Sequence, residues 1–290
     1  MGDKQLNYQG NSYGTFLGAV YANLFPDRVG ALVQIGNINA PAWATADEDD
    51  GSGTKRDRRP GFLPRPRPDT FLDTFLRTDS DKGMADTLNA FLTLCGQATT
   101  AGCAFSAGSP AATQQKWNTL LQNVLAHPVT LAGVTWDYDA VVSTVAHGLL
   151  YVPQWAPTAQ TLEQVWEGKA NAGPASSATA AVAAEPASVI TQRAAVECAE
   201  SPNPRHPEDY IALADLAYDR SGAVGPFYSW IDVVCAGWPA VAADRYTGPW
   251  DKPTAHPLLL VNTTHDPATP ISGAVASASH IQGCVSKLRR

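Results

Sequence analysis

The feature that most constrains this fold is a strand, a tight turn, a helix and a second strand within residues 6–36. Residues 6–9 form a short β-type run, and apolar residues then recur at helical spacing over 16–24. Residues 31–35 form a second apolar run, which we predict to be a buried strand. Because two strands joined by a helix must pair in parallel, we expect an α/β fold with a mostly parallel sheet.

The turn between the first strand and the helix has the pattern G-x-S-x-G, from Gly10 to Gly14. The pattern alone is a weak signal, but its place between a strand and a helix is the one that a nucleophile elbow requires. Ser12 would then project at the carboxyl edge of the sheet, beside the backbone N–H of Tyr13 at the start of the helix. We predict Ser12 as nucleophile and Tyr13 as oxyanion donor; the alternative is a turn that merely joins the two elements.

A serine hydroxyl needs a base, and that base needs a carboxylate to orient it. In this architecture the chain order is serine, acid, histidine. A late strand is predicted over Pro257–Asn262, and Asp266 lies in the loop that follows it. We predict Asp266 as the catalytic acid; the alternative is an Asx-type turn before Pro267.

The histidine of such a triad is expected after one more strand, and 284–288 is predicted to begin that strand. His280 lies at the far end of a helix predicted over 271–281, which carries it roughly 16 Å from the catalytic edge. His265 adjoins the acid, but neighbouring side chains diverge, so we interpret it as a loop residue. No local feature favours the other four histidines, which are His127, His147, His206 and His256. The sequence therefore identifies no base.

Between the two sheet segments the patterns change. Residues 47–69 combine charge runs with four prolines and are predicted to be an exposed linker. Residues 70–235 are mainly helical in pattern. We predict that 1–46 is the N-terminal part of the core, that 70–235 is an inserted helical region, and that 236–290 is the C-terminal part of the core.

Composition excludes several classes of function. The net charge of −7 and the acidic pI near 5.3 argue against a nucleic-acid partner, whose phosphates need a basic surface. No apolar run approaches the ~18 residues that a membrane-spanning helix needs. The N-terminal residues do not have the pattern of a signal peptide. No cofactor, metal site or oligomeric state is predicted.

The five cysteines allow two interpretations. Cys95 lies close to Cys103, Cys198 and Cys235 flank a turn and a helix, and Cys284 is left over. Two pairs and one unpaired thiol would indicate an oxidising compartment. The alternative is five buried thiols that act as small apolar residues.

Several sequence blocks together resemble the tripeptidyl-aminopeptidase-like branch of the α/β-hydrolases, which are secreted serine exopeptidases related to prolyl aminopeptidases. The blocks extend from residue 6 to about 275. They are Leu6–Thr15, Tyr21–Val29, Val196–Glu200, Cys235–Pro239 and Leu260–Pro270.

This resemblance implies an α/β-hydrolase fold with Ser12 as nucleophile, Asp266 as acid and a helical lid between the two sheet segments. It also implies an extracellular location, a small peptide substrate, and the disulfides Cys95–Cys103 and Cys198–Cys235. An exopeptidase needs an acidic group to bind the substrate ammonium. The candidates, each of which can also be an ordinary surface carboxylate, are Glu163, Glu167, Glu197 and Glu200.

Members of that branch carry a long region before the elbow and a final strand with a Gly-His loop, and this sequence shows neither. We therefore expect an incomplete sheet and an internal portion of an exopeptidase. The first hypothesis is a serine hydrolase that releases short peptides or residues from peptide N-termini. The second is a catalytically incomplete remnant or binding protein, and the third is an esterase or lipase on the same fold.

Overall fold

The computed structural model describes residues 3–46, 72–168, 187–281 and 285–289. The predicted linker, 47–69, and the leftover thiol, Cys284, lie outside the described residues.

Within the described residues, four parallel strands form one sheet in the order β1-β2-β5-β6, and two short strands pair as an antiparallel hairpin elsewhere. The strands are β1 (Leu6–Asn11), β2 (Val29–Ile35), β3 (Val129–Leu131), β4 (Val134–Trp136), β5 (Leu258–Thr263) and β6 (Val285–Arg289). Asn11 pairs with Ile35, and Ile35 pairs with Val261, so the carboxyl ends of β1, β2 and β5 are level. The parallel sheet that the sequence predicts is confirmed, and so is the further strand that follows residue 284.

Helices connect and flank these strands. They are α1 (Tyr13–Leu24), α2 (Ala40–Ala44), α3 (Thr74–Arg77), α4 (Ser80–Gln97), α5 (Pro110–Ala126), α6 (Tyr138–Leu149), α7 (Trp155–Glu167), α8 (Ala187–Glu200), α9 (Asp209–Ser221), α10 (Pro226–Asp232) and α11 (Ile271–His280). α1 joins β1 to β2 and α11 joins β5 to β6, whereas α3 to α10 lie between β2 and β5 in the chain. We call α3 to α10, with the hairpin, the helical region. The exact domain boundaries stay predictions.

The sheet and the helical region have separate apolar cores. A large cluster fills the helical region, around Trp117, Trp136 and Phe105. Smaller clusters lie under the sheet, around Leu32 and Leu258, and between α1 and α2. Because the sheet and the helical region each bury their own apolar side chains, the surface between them can include polar side chains.

Two disulfides close loops in the helical region. Cys95 bonds Cys103 after α4, and Cys198 on α8 bonds Cys235 in the turn after α10. The pairing that the family resemblance implies is therefore confirmed, and five buried thiols is the wrong interpretation.

The apolar pattern predicted for α1 is only partly its buried face. Phe16 is buried, but Leu17 and Leu24 are 46% and 51% exposed. Small residues lie against the strands instead, because the helix approaches them closely: a Cβ at Gly18 would lie 2.7 Å from Gln34 Nε2. None of the described helices is both long and apolar enough to cross a membrane.

Candidate active site

Ser12 lies in a strained turn between β1 and α1. Its φ of 52° is in a region that residues other than glycine seldom adopt, and such strain persists only where neighbouring contacts enforce it. Its N–H donates to the carbonyl of Ile35 at 3.0 Å, and its carbonyl accepts from the N–H and hydroxyl of Thr15 at 2.8 and 2.7 Å. These bonds hold the turn while the Ser12 side chain stays exposed at the carboxyl edge of the sheet.

The glycines of the motif allow this turn to close. A Cβ at Gly10 would lie 2.3 Å from the carbonyl oxygen of Gly14, so the strand and the helix touch through their backbones. The hydroxyl of Tyr8 donates to that same carbonyl at 2.8 Å and stabilises the close contact between β1 and α1.

Tyr13 begins α1, where backbone N–H groups have no acceptor within the helix. Its ring packs 5.8 Å from Trp43 and 5.9 Å from Phe16, measured between ring centroids. Its hydroxyl donates to Glu200 Oε2 at 2.7 Å. Burial and this carboxylate raise the pKa of Tyr13, so the hydroxyl remains a donor at neutral pH.

Asp266 lies in the loop after β5 and forms the Asx-type turn that the sequence offered as the alternative. Its Oδ1 accepts from the N–H groups of Ala268 and Thr269, at 3.1 and 2.8 Å. Oδ2 accepts no hydrogen bond from any residue that the structure describes. The turn therefore orients the carboxylate and leaves one oxygen available to another group, so the two interpretations of Asp266 are compatible.

The helical region helps to hold the Asp266 loop in place. Ser80 at the start of α4 donates its hydroxyl to the carbonyl of Ala268 at 2.6 Å. The buried hydroxyl of Tyr228 donates to the carbonyl of Pro267, also at 2.6 Å. The position of this loop thus depends on side chains from α4 and α10.

The ends of β2 and β5 are also linked. Asn262 Oδ1 accepts from the N–H of Asn37 at 2.7 Å, and Asn262 Nδ2 donates to the carbonyl of Thr269 at 3.0 Å. Because β1 and β5 both pair with β2, their backbones are roughly 10 Å apart at this edge. The structure therefore brings Ser12 and Asp266 to the same edge of the sheet, on either side of β2.

Ser12 opens into a cavity of about 400 Å³ between the sheet and the helical region. The Asp266 loop contributes to its wall through residues 268–270, and α8 contributes Arg193 and Glu197. The rest of the wall is mainly apolar and includes Trp43 and Phe75. A cavity of this size, with few polar groups, suits a small ligand that has apolar side chains.

Two buried carboxyl groups share one arginine at the α8 wall. Arg193 Nη1 lies 2.7 Å from Glu197 Oε2 and 3.6 Å from Asp232 Oδ1. Glu197 is 1% exposed and Asp232 is 0% exposed. Burial and the neighbouring Glu197 carboxyl raise the pKa of Asp232 well above its usual range. Glu197 Oε1 and Asp232 Oδ1 are buried and, as carboxylates, accept no hydrogen bond from the described residues, whereas a protonated Asp232 donates to the Glu197 carboxyl group.

Among the four acidic candidates from the sequence, Glu197 lines the cavity. Glu163 is paired with Lys116, and Glu167 is exposed at the end of α7. Glu200 accepts the hydrogen bond from Tyr13. Sequence reasoning missed Asp232 and Arg193; the spacing of Arg193 four residues before Glu197 was the one local signal available.

None of the six histidines, all of which lie in the described residues, hydrogen-bonds to Asp266. His265 Nδ1 lies 2.7 Å from Asp86 Oδ2 on α4. His280 ends α11 shortly before Val285, which pairs with Leu259 near the amino end of β5. His280 is therefore near the edge opposite Ser12, as the sequence predicts. Within the described residues, no group of three His, Cys, Asp or Glu side chains is arranged to hold a metal ion.

Comparison with known proteins agrees with this architecture. The sequence-family model described as alpha/beta hydrolase fold matches residues 1–156. The family model described as TAP-like protein matches residues 221–288. The chain is 27% identical to the tripeptidyl aminopeptidases of Streptomyces lividans and Streptomyces coelicolor, over 98% of its own length and 47% of theirs. It is 26% identical to the serine protease Hip1 of Mycobacterium tuberculosis, over 98% of this chain and 51% of that protein. The chain thus spans about half the length of the curated relatives it matches.

Proposed function

This chain belongs to the α/β-hydrolase fold family, and we propose that it forms the active-site part of a serine exopeptidase. The enzyme would release short peptides or single residues from peptide N-termini through an acyl-enzyme. The observation that carries the proposal is one cavity that joins Ser12, in its strained turn, to the buried carboxyl group of Glu197. The names of the relatives, an aminopeptidase and a serine protease, support the same reaction class.

In the proposed reaction, Ser12 Oγ attacks the peptide carbonyl while a base removes its proton. The N–H of Tyr13 donates to the oxyanion that forms. The base then protonates the leaving amine, and water hydrolyses the acyl-enzyme by the reverse sequence of proton transfers. Asp266 Oδ2 is the oxygen that would orient the base. β6 runs parallel to β5, so a histidine that followed β6 would reach the same edge of the sheet.

Charge favours an exopeptidase over an esterase. Glu197 and Asp232 both face Arg193, and the neighbouring Glu197 carboxyl raises the pKa of Asp232, so the pair favours an added positive charge. A substrate ammonium would supply that charge and would donate hydrogen bonds to the Glu197 carboxylate. The apolar wall of the cavity would accept the side chains of the substrate.

We also propose an extracellular location for this protein. Cys95–Cys103 and Cys198–Cys235 are both bonded, and disulfides persist mainly in oxidising compartments.

A second candidate function is binding without turnover. It is favoured by the observation that none of the six histidines hydrogen-bonds to Asp266. A protein of this kind would keep the cavity and the carboxyl groups but would not activate Ser12.

Labelling with a fluorophosphonate probe separates the two functions, with Ser12→Ala as the control. We expect labelling of the folded protein that is lost in Ser12→Ala, because only an activated serine reacts. No labelling of protein whose folded state is verified by circular dichroism would contradict the exopeptidase and support binding without turnover.

Substrate comparison then separates exopeptidase from esterase. We expect hydrolysis of peptides with a free N-terminus and at least tenfold slower hydrolysis of the same peptides after N-acetylation, because acetylation removes the ammonium. Glu197→Gln should reduce this preference. Equal rates on free and acetylated peptides, or faster hydrolysis of simple esters, would contradict the exopeptidase assignment.

A further inference from the structure

One hydrogen bond joins the elbow directly to the helical region. Tyr13, which follows Ser12, donates from its hydroxyl to Glu200 Oε2 at 2.7 Å across 187 residues of chain. Glu200 is the last residue of α8, where the exposed carbonyl groups of a helix disfavour a negative charge. A hydrogen-bond donor beside the Glu200 carboxylate offsets this unfavourable interaction with the helix end, and the Tyr13 hydroxyl is such a donor.

The helix that carries Glu200 also carries the polar wall of the cavity. Arg193, Glu197 and Glu200 are spaced at i, i+4 and i+7, so they share one face of α8. Arg193 and Glu197 line the cavity that contains Ser12. The contact between Glu200 and Tyr13 therefore lies on the same helix face as Glu197, which the proposed function assigns to the substrate ammonium.

Other contacts hold the carboxyl end of α8, but they lead to other elements. The Cys198–Cys235 disulfide joins α8 to the turn after α10. The hydroxyl of Ser201, directly after α8, donates to the carbonyl of Trp43 in α2 at 2.7 Å. The bond from Tyr13 ties the helix to the residue that follows the nucleophile.

We propose that Glu200 is a positioning residue. Through Tyr13 it holds the cavity-facing side of α8 at a set distance from the elbow, and so places Glu197 and Arg193 relative to Ser12. The inference rests on the proposed function, because it assumes that Ser12 and Glu197 engage the same substrate. Glu200 itself does not contact the reacting atoms.

Three substitutions isolate this role. Glu200→Ala removes the acceptor, whereas Glu200→Gln keeps a side-chain oxygen at the same length without the charge. Tyr13→Phe removes the donor and keeps the ring that packs on Trp43 and Phe16. Glu167→Ala is the matched control, since Glu167 is also the last residue of a helix but is exposed.

The first readout is independent of activity. Hydrogen exchange of peptides from residues 190–200 should be roughly tenfold faster in Glu200→Ala and Tyr13→Phe, the size expected when a bond to a charged group is lost. Exchange in Glu200→Gln should stay within about threefold of the parent protein, and Glu167→Ala should match the parent. Unchanged exchange in Glu200→Ala, or equal acceleration in Glu167→Ala, would overturn the proposal.

The second readout is steady-state kinetics on peptides with a free N-terminus. Glu200→Ala should raise KM by roughly tenfold and lower kcat by less than about threefold, because the ammonium site moves while Ser12 keeps its own contacts. Glu200→Gln should largely restore KM. A fall in kcat with unchanged KM would overturn the positioning role. If the parent protein shows no turnover, the proposed function fails, whereas the exchange experiment still decides whether Glu200 holds α8 against the elbow.

Discussion

The two sides of the Ser12 cavity are built in different ways. The sheet side consists of short turns that are held by hydrogen bonds from backbone N–H groups, as at Ser12 and at Asp266. The α8 side consists of buried charges from segments far apart in the chain: Glu197 on α8, Asp232 on α10 and Asp73 before α3. The turns at Ser12 and Asp266, which are proposed to carry out bond cleavage, are thus shaped by short-range hydrogen bonds, whereas the carboxyl groups proposed to bind the substrate ammonium are brought together by tertiary packing.

This difference makes the two sides respond differently to pH. Asp73 is fully buried and caps α3 by accepting from the N–H of Leu76 at 2.9 Å. Burial raises the pKa of Asp73 to about 6, and burial likewise raises the pKa of Asp232. We expect the α8 side to be most stable in mild acid, where these groups can hold protons.

The largest expected effect on stability comes from removing the shared cation of the α8 side. Arg193→Met removes the guanidinium that pairs with buried Glu197 and Asp232 and leaves the more distant Arg77, which should lower the free energy of unfolding at pH 7 by about 3 kcal/mol. The loss should be smaller at pH 5, because Asp232, whose pKa burial raises, can then be protonated. Urea unfolding of Arg193→Met and of the parent protein at pH 5 and pH 7 measures this loss.

Lys82→Met is the control for Arg193→Met, since Lys82 pairs with Asp79 at the surface and its side chain is 56% exposed. Lys82→Met should lower the free energy of unfolding by less than about 1 kcal/mol at either pH. If the two substitutions cost the same, or if the loss in Arg193→Met does not depend on pH, the contrast between the two sides is wrong.

The sheet side is tested at Gly10. Gly10→Ala places a Cβ 2.3 Å from the carbonyl oxygen of Gly14, so the backbone of the turn must move. A shift of about 1 Å at the nucleophile should slow fluorophosphonate labelling by at least about a hundredfold.

The matched control is Gly18→Ala, on α1 directly after the elbow. The nearest atom to its Cβ would be Gln34 Nε2, the end of a side chain that can move, so labelling should change by less than about threefold. Normal labelling of Gly10→Ala would show that the turn does not need the close backbone contact.

The smallest expected effect is the pH dependence that Asp73 contributes. Its pKa is higher in the folded protein than in the unfolded chain, so the folded protein holds the proton between about pH 4 and 6. Stability therefore falls as the pH rises through this range, by about 2 kcal/mol between pH 4.5 and 7.

Asp73→Asn should remove that share of the pH dependence, because Asn keeps an oxygen for the N–H of Leu76 but does not ionise. Thermal or urea unfolding of both proteins at pH 4.5 and 7 measures the difference. Parallel stability curves for Asp73→Asn and the parent would contradict the assignment.

Much of the sheet side could be predicted from the sequence because its signals are local. The spacing of apolar residues predicted β1, α1 and β2, and the glycines around Ser12 marked the turn between them. The position of Asp266 followed from the end of β5. The catalytic roles of Ser12, Tyr13 and Asp266 stay predictions.

The α8 side could not be predicted in the same way. Glu197 was one of four acidic candidates, and only the packing of α8 placed it in the cavity wall. Asp232 gave no signal, because an aspartate near a helix end is ordinary in sequence. Its burial depends on α10 meeting α8. Leu17 and Leu24 are exposed for the same reason. Helical spacing predicts that apolar residues share one face of α1, but it does not predict which part of that face packs against other elements.

Local sequence patterns were enough to predict the parallel strands of the first βαβ unit, the strained turn at Ser12 and the loop after β5. These depend on chain stiffness, glycine geometry and apolar periodicity, all of which act over a few residues. The positions of the carboxyl groups around Arg193 and the hydrogen bond between Tyr13 and Glu200 depend on the tertiary packing. A buried charge or a hydrogen bond across 187 residues is set by the way separate elements pack, and no local pattern encodes that packing.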